Sequence, residues 1–369
     1  MPSGIFPESI VSLHSYFYID LLNYSKMKKE RFLIYSIFIA GVLLVFAGCK
    51  KSDNNNESSN VNIPVLSTAS VNYILQTSVV SGGNITSDGG ATVTVRGVCW
   101  STGLTPTVSD KKTTNGTGAG TFNSNVRGLS PGTVYYLRAY ATNSNGTGYG
   151  SAISFTTVGT TFTDSRDGNV YKIVQIANKI WMAENLRYLP SVVGPATGSL
   201  TTPYYYVYGY DGTDVNVAKA QSNYIIYGAL YNWPAAMNGA AGSSSNPSGV
   251  QGVSPAGWHI PSNAEWNELA DSLGGADVAG GKLKETGNIH WTSPNEGATN
   301  ETGFTALPGG GIGYGNFNDI LNRAYWFSTT EDNADNVVFG KYISYDGGGL
   351  MDLLAIKAYG LSVRCVKDQ

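Results

Sequence analysis

An apolar run at residues 32–48 ends at Cys49 and gives way at once to a polar stretch rich in Asn and Ser. Lys28, Lys29 and Arg31 precede the run, and Ala47 and Gly48 stand immediately before the cysteine. A basic start, an apolar middle and small residues at the cleavage point are the parts of a secretory signal. A cysteine directly after such a signal is where bacterial lipoproteins are acylated. The chain is therefore expected to carry palmitate or a similar lipid on Cys49.

This feature divides the chain into a leader and an exported part. Residues 27–48 are the expected signal peptide, residues 1–26 an over-extended gene start, and residues 49–62 a flexible tether of low hydrophobicity. The alternative is a spanning helix, because the apolar run is about as long as the shortest transmembrane segments, roughly 17 residues. The small residues before Cys49 and the polar stretch after it favour the lipoprotein signal.

Composition excludes some partners. Only 13% of the residues are charged, against about 25% in typical soluble domains, and the net charge is -3. A chain without a basic patch is not expected to bind nucleic acid. Beyond Cys49, the only cysteines are Cys99 and Cys365, each in a strand-like apolar context, and they are expected to be buried free thiols.

Residues 63–157 show short alternating segments separated by Gly, Asn and Asp, which is typical of a β-sandwich. Between residues 133 and 141, the alternation places Tyr135, Leu137, Ala139 and Ala141 on one face, predicted to be core. The residues Leu129, Pro131, Thr133 and Tyr135, followed by Asn143 and Gly146, resemble the late strands of fibronectin type III domains. That resemblance implies that Tyr135 is a corner tyrosine, with its hydroxyl bonded to nearby backbone.

A second domain is predicted over residues 160–369. Residues 170–176 and 179–182 are expected to form a hairpin joined at Ala177 and Asn178. Ser262 and Glu265 have the spacing of a capping box, apolar residues recur at helical spacing up to Leu273, and Gly274 supplies the stop. These signals predict a helix that begins after Ser262 and ends before Gly274.

The second domain resembles the family first noted as paralogues in Fibrobacter succinogenes and frequent in Bacteroidetes lipoproteins. The matching motifs lie at residues 167–171, 181–186, 227–233, 257–261, 281–285, 300–310 and 362–366. Residues 257–273 and 360–365 are also similar to segments of the formylglycine-generating enzyme superfamily, whose fold is a variant of the C-type lectin fold. The resemblance implies a multidomain chain: an all-β fibronectin-like sandwich, then an α+β, loop-rich domain of C-type lectin type.

Catalytic signals are sparse. Formylglycine chemistry needs two active-site cysteines, and this domain has only Cys365. His259 and His290 stand in unlike contexts, and the glycine-rich run at 309–313 is expected to be a flexible loop that binds no phosphate. Neither an enzyme activity nor a cofactor is therefore predicted. The alternative is a surface glycan hydrolase, because glycoside hydrolysis needs only two carboxylates. Its candidates are the motif glutamates Glu184, Glu265, Glu285 and Glu301.

Two segments have side chains suited to binding. Five tyrosines between residues 204 and 210 could form an aromatic platform for sugar rings, or they could fill the core from alternate positions of a strand: Tyr204, Tyr205, Tyr206, Tyr208 and Tyr210. The loop at 331–336 offers Asp332 and Asp335 as oxygen ligands of the type that calcium needs, but it lacks a recognised spacing, so a solvated turn is favoured and no metal site is assigned.

The sequence thus predicts a lipoprotein anchored to the bacterial outer membrane through Cys49, facing the surface or the periplasm. Its head is expected to be a non-enzymatic recognition domain for glycans or cell-surface polymers. A structural spacer or subunit of an envelope assembly is a further alternative to the hydrolase.

Replacing the acylated cysteine tests the anchor. Cys49→Ser removes the thiol that would carry lipid, so the protein should leave the membrane fraction and appear in the soluble fraction. Fractionation followed by immunoblotting measures this. A variant that still fractionates with membranes would favour the spanning helix.

Overall fold

The computed structural model describes residues 61–332 and 336–369. The predictions for Cys49, for the signal peptide and for nearly all of the tether lie outside the described residues, as does Asp335 of the calcium hypothesis. Within the described part, no helix is long and apolar enough to cross a membrane. We call residues 63–157 the sandwich and residues 160–369 the head; both belong to one compact unit.

The sandwich contains eight strands in the described residues: β1 (Val65–Thr68), β2 (Ser78–Ser87), β3 (Val95–Ser101), β4 (Lys111–Lys112), β5 (Gly120–Arg127), β6 (Val134–Asn143), β7 (Gly146–Tyr149) and β8 (Ile153–Thr156). One sheet has the order β1-β2-β5, and the other has the order β4-β3-β6-β7, with β8 also paired to β6. All pairs are antiparallel.

Strand β6 follows the predicted alternation. The residues of the face predicted as core are all buried: Tyr135, Leu137, Ala139 and Ala141. On the opposite face Tyr140 is also buried, and its hydroxyl donates to the carbonyl oxygen of Thr113 at 2.7 Å. The alternation therefore identifies the core face correctly, but the opposite face of β6 is covered at Tyr140 as well.

The predicted tyrosine corner is present. The Tyr135 hydroxyl oxygen accepts a hydrogen bond from the backbone N–H of Ser130 at 3.1 Å, and the ring stacks on Phe155 with centroids 5.9 Å apart. This contact fixes the chain where it enters β6. The fibronectin type III-like sandwich predicted from the sequence is confirmed.

Both described cysteines are buried and unpaired, as expected. Burial raises the pKa of the Cys99 thiol to about 11 and that of the Cys365 thiol to about 12. A thiol reacts as its thiolate. Neither residue is therefore a reactive group at neutral pH.

Gln76 joins the sandwich to the head. Its side-chain N–H₂ donates to the carbonyl oxygens of Gly159 at 2.7 Å and Ile173 at 3.1 Å, and its oxygen accepts from the N–H of Gln175 at 2.7 Å. Gln175 reciprocates by accepting from the backbone N–H of Thr77 at 3.0 Å. Because Gln76 is buried, these bonds are shielded from water and hold the two parts in one orientation.

The head contains twelve strands in the described residues: β9 (Thr161–Thr163), β10 (Val170–Ile176), β11 (Lys179–Met182), β12 (Tyr205–Tyr206), β13 (Leu230–Tyr231), β14 (Trp258–His259), β15 (Gly309–Gly313), β16 (Asn316–Ile320), β17 (Arg323–Glu331), β18 (Val337–Ser344), β19 (Met351–Ile356) and β20 (Val366–Lys367). Two five-stranded sheets have the orders β14-β20-β11-β10-β9 and β16-β15-β17-β18-β19, and β12 pairs with β13. Its helices are short: α1 (Val215–Lys219), α2 (Ser222–Tyr227), α3 (Trp233–Met237), α4 (Asn263–Ser272) and α5 (Ala276–Leu283).

The two strongest local predictions in the head are confirmed. Strands β10 and β11 form the expected hairpin, and Ala177 occupies its turn at a φ of 51°. Helix α4 begins after Ser262, whose hydroxyl accepts from the Glu265 N–H while the Glu265 carboxylate accepts from the Ser262 N–H, both at 3.2 Å. Trp266 of this helix is fully buried.

The centre of the head is a buried arginine. The Nε–H of Arg364 donates to the side-chain oxygen of Asn185 at 3.0 Å, and its two terminal nitrogens donate to the carbonyl oxygens of Phe304 at 2.6 Å and Thr305 at 3.3 Å. Its Cζ lies 4.2 Å from the ring centroid of Phe304 and 5.7 Å from that of Trp326. Among the described residues no carboxylate pairs with Arg364, so backbone and amide oxygens provide its solvation.

Lys284 is a second buried cation that is solvated by backbone carbonyl oxygens instead of a carboxylate. The ammonium of Lys284 donates to the carbonyl oxygens of Glu296 at 2.7 Å, Gly347 at 2.9 Å and Ser344 at 3.0 Å. It also lies 5.4 Å from the ring centroid of Trp291. Burial lowers its pKa to about 8. Arg364 therefore binds the loop at residues 304 and 305, and Lys284 ties loop residues Glu296 and Gly347 to the end of β18 at Ser344.

Replacing Arg364 with Lys tests this role. A lysine keeps the charge but lacks the planar fork that reaches several acceptors at once, so it leaves buried carbonyl oxygens without donors. We expect Arg364→Lys to lower the free energy of unfolding by about 3 kcal/mol, measured by urea denaturation. The matched control, Arg127→Lys, changes an exposed arginine and should stay within about 0.5 kcal/mol of wild type. Equal effects of the two substitutions would contradict the role assigned to Arg364.

Candidate functional site

The tyrosine-rich stretch at 204–210 is not one exposed platform. Only Tyr205 and Tyr206 form a strand there, paired with Leu230 and Tyr231. Tyr206 is fully buried, and its hydroxyl donates to the carbonyl oxygen of Thr197 at 2.7 Å. Its prediction as a ligand contact is wrong, because alternate residues of a strand point inward.

The other four tyrosines of this stretch are half-buried. Tyr205 packs edge-on against Tyr231 with centroids 5.7 Å apart, and Tyr208 packs against Phe317 at 4.8 Å. Tyr204 and Tyr210 likewise contact core clusters. The structure therefore favours the core interpretation of this stretch, in which these four rings are only partly exposed.

A more exposed ring lies at the tip of the β15–β16 hairpin. Gly313 pairs with Asn316, so Tyr314 and Gly315 form a two-residue turn with φ values of 53° and 76°. Such turns strongly prefer Asn, Asp or Gly, because a bulky side chain is strained at positive φ. Yet Tyr314 is 87% exposed and so contributes little to the core. A strained residue that does not serve packing is a functional candidate.

The ring of Tyr314 packs edge-on against the ring of Tyr359. The two ring centroids are 5.4 Å apart at an interplanar angle of 67°. Burial and a hydrogen bond with Tyr314 raise the pKa of the Tyr359 hydroxyl above its ordinary value. Behind the turn, the Asn316 side chain donates to the Tyr314 carbonyl oxygen at 3.1 Å, and that of Asn318 donates to Gly313 at 3.3 Å. The Tyr314 ring is thus presented on a braced hairpin.

The sequence prediction missed this hairpin. The run at 309–313 was expected to be a flexible loop, but it forms strand β15. Glycine is needed there for close approach: a Cβ on Gly310 would lie 2.3 Å from the carbonyl oxygen of Asn318. The available signal was Tyr314-Gly315 between two short runs of strand length.

Each of the four motif glutamates has a structural partner. Glu184 accepts from the N–H of Lys172 at 2.7 Å, and Glu285 lies 2.8 Å from the ring nitrogen of His290. Glu301 pairs with Lys282 at 3.1 Å. Glu265 is fully buried in its helix cap. These contacts favour structural roles over the hydrolase alternative.

Glu265 also anchors a network of charged side chains. One of its oxygens lies 3.0 Å from the Nε2 atom of His259 and 3.1 Å from the Nζ atom of Lys179. The Nδ1 atom of His259 lies 2.6 Å from Asp368. Burial disfavours the charged ring, but the hydrogen bonds and charges of Glu265 and Asp368 outweigh it and raise the pKa of His259. The pKa of Glu265 is lowered, since bonds to His259 and to backbone N–H groups overcome its burial.

The calcium hypothesis gains no support. The backbone N–H of Asp332 donates to the carbonyl oxygen of Val337 at 3.1 Å, which is a turn contact across the base of the β17–β18 loop. Across residues 61–332 and 336–369, no group of three or more His, Cys, Asp or Glu side chains is placed to hold a metal ion.

The family model described as the Fibrobacter succinogenes major domain matches residues 174–367. No curated protein matches the chain.

Several solved structures are similar. The sensor domain of the anti-sigma factor RsgI4 from Pseudobacteroides cellulosolvens matches at 15% identity and a TM-score of 0.21, covering 26% of this chain and 76% of that one. A shorter version of that domain matches at 14% and 0.21, covering 27% and 98%. A fibronectin type III domain derived from human KIAA0970 protein matches at 16% and 0.21, covering 31% and 87%. At these identities and TM-scores, the similarities support no conclusion about function.

The His259 network predicts a pH dependence. Because the folded pKa is raised, the charged ring stabilises the fold below the unfolded value of about 6.5, and this contribution is lost as pH rises through the folded pKa. The difference in unfolding free energy between wild type and His259→Gln should therefore be larger at about pH 6 than at about pH 9. Urea denaturation at both pH values, with an NMR titration of the ring, measures this. A difference that grows toward high pH would contradict it.

Proposed function

Because this chain belongs to the Fibrobacter succinogenes major domain family, we propose that it is a non-enzymatic recognition protein of the bacterial cell envelope. Its ligands are glycans or other cell-surface polymers. Lipid on Cys49 anchors it to the outer membrane, facing the surface or the periplasm, as the run of small residues before that cysteine indicates.

One observation carries the choice of ligand: the exposed Tyr314 ring on its braced hairpin. A tyrosine ring offers an apolar face and a polar hydroxyl, which matches a sugar ring that is apolar on one face and hydroxylated at its edge. Because the hairpin is already ordered, binding costs little conformational entropy.

Polar groups suited to sugar hydroxyls lie along the same hairpin and the neighbouring strand. Asp319 accepts from the Tyr325 hydroxyl at 2.7 Å, and Arg323 lies 3.9 Å from the same carboxylate. Asn316 and Asn318 are exposed at the outer strand. A hairpin that presents an aromatic ring at its turn, amides along its outer strand and charged groups at its base has the chemistry of a glycan contact rather than of a contact with an apolar ligand.

The proposal also includes the fold type expected from the sequence. A C-type lectin-like head is consistent with short helices, two small sheets and long loops. A non-catalytic role is supported by the structural contacts of Glu184, Glu265, Glu285 and Glu301.

Tyr314→Gly tests the ligand contact. Glycine relieves the strained φ while removing the ring, so the fold should keep its stability and glycan affinity should fall about tenfold. A glycan array identifies the ligand for the detergent-solubilised full chain, and calorimetry then compares the variants.

Leu321→Gly is the matched control. Leu321 is also exposed, at 43%, and also has a positive φ of 67°, but it carries no aromatic ring. Its substitution should leave glycan binding unchanged. Absence of binding to every glycan on the array, or equal losses in the two variants, would count against the proposed function.

A further inference from the structure

A groove runs along the junction between the sandwich and the head. It consists of two adjoining depressions of about 390 Å³ and 270 Å³, which share Tyr73, Leu75 and Gln369 in their walls. Ligand sites commonly have volumes of roughly 300–1,000 Å³ and often form between domains. The buried Gln76 bonds hold both sides of this junction, so the groove is formed before any ligand arrives.

Tyr73 stands where the two depressions meet. It is 64% exposed, has a positive φ of 49°, and makes no ring–ring contact with the described residues. A bulky residue in the left-handed region is strained, and here the strain serves no packing. Tyr73 therefore shares two features with Tyr314, exposure and a positive φ, although it lacks the ring contact that Tyr314 makes with Tyr359.

The walls around Tyr73 are rich in side-chain amides. Asn72 and Asn125 come from the sandwich, and Asn178 comes from the head. All three are exposed. An amide offers both a donor and an acceptor, as a sugar hydroxyl does, so amide-lined walls suit a hydroxyl-rich chain.

The groove contains two cationic side chains. Arg127 lines one depression and Lys367 the other, and neither forms an ion pair within the part of the chain that the structure describes. Of the two anions in the walls, Asp368 is already engaged by His259 at 2.6 Å, and the α-carboxylate of Gln369 pairs with neither cation. Two cations thus remain available for a ligand carboxylate, and an arginine fork binds a carboxylate through two parallel hydrogen bonds.

We propose that this groove is a second binding site, built by both domains, for a glycan chain that carries carboxylates, such as a uronate polymer. A sugar ring stacks on Tyr73, hydroxyls bond the amides, and carboxylates meet Arg127 and Lys367. This inference rests on the proposed function in that the ligand is a glycan, but it assigns a different site and a different sugar class.

The test uses the full chain and a galacturonate oligosaccharide, with its methyl-esterified, uncharged form as the matched ligand. Calorimetry should show tighter binding of the uronate, weakening as salt is added because the charge pairs are screened. Tyr73→Gly should weaken uronate binding about tenfold, and Arg127→Gln should weaken it while removing most of the preference for the charged form. Both changes fall on exposed residues, and glycine relieves the strain at position 73, so both variants should fold; urea denaturation checks this.

Leu321→Gly is the matched control: it replaces another exposed residue at positive φ that belongs to neither proposed site, and it should leave uronate binding intact. Equal affinity for the charged and the esterified ligand, or wild-type affinity in Tyr73→Gly, overturns the inference. If uronate binding survives Tyr73→Gly but is lost in Tyr314→Gly, the proposed binding site in the groove is wrong, while the proposed glycan contact of Tyr314 on the head stands. If no glycan binds the full chain at all, both proposals fail.

Discussion

The head depends on the solvation of one buried cation. A guanidinium removed from water must find oxygens for its donors, and Arg364 finds four: on the Asn185 side chain and on the backbone of Met182, Phe304 and Thr305. These oxygens belong to segments far apart in sequence, so satisfying Arg364 brings those segments to one point. Asn185 extends the set by accepting from the indole N–H of Trp326 at 2.9 Å. The hydrogen bonds of the Arg364 side chain therefore bring together motifs that lie far apart in the sequence.

Local signals in the sequence were sufficient for several elements. The alternation in β6, the hairpin of β10 and β11, and the capping box of α4 each depend on residues close together in the chain. The sandwich could be predicted for the same reason. Such signals fix an element without knowledge of its neighbours.

The rest depended on contacts that no local pattern encodes. Arg364 and Asn185 are 179 residues apart, and nothing near either indicates a buried pair. Strand β15 is almost all glycine, a residue depleted in strands, and it is ordered by the close approach of β16. Tyr314 and Tyr73 were missed because their distinguishing features, exposure together with positive φ, are properties of the folded backbone.

The hydrogen bonds of Gln76 show that the boundary of the family match is not a structural boundary. The family match begins at residue 174, inside β10, whereas the hydrogen bonds of that strand continue to Gln76 in the sandwich. A head excised at the family boundary would lose part of a strand and expose Gln175 and the apolar surface that Leu75 covers. The pair of domains is then the unit that keeps this junction intact. Transplanting the head alone onto another domain would leave the backbone groups of Gly159, Ile173 and Gln175 without the partner that Gln76 provides.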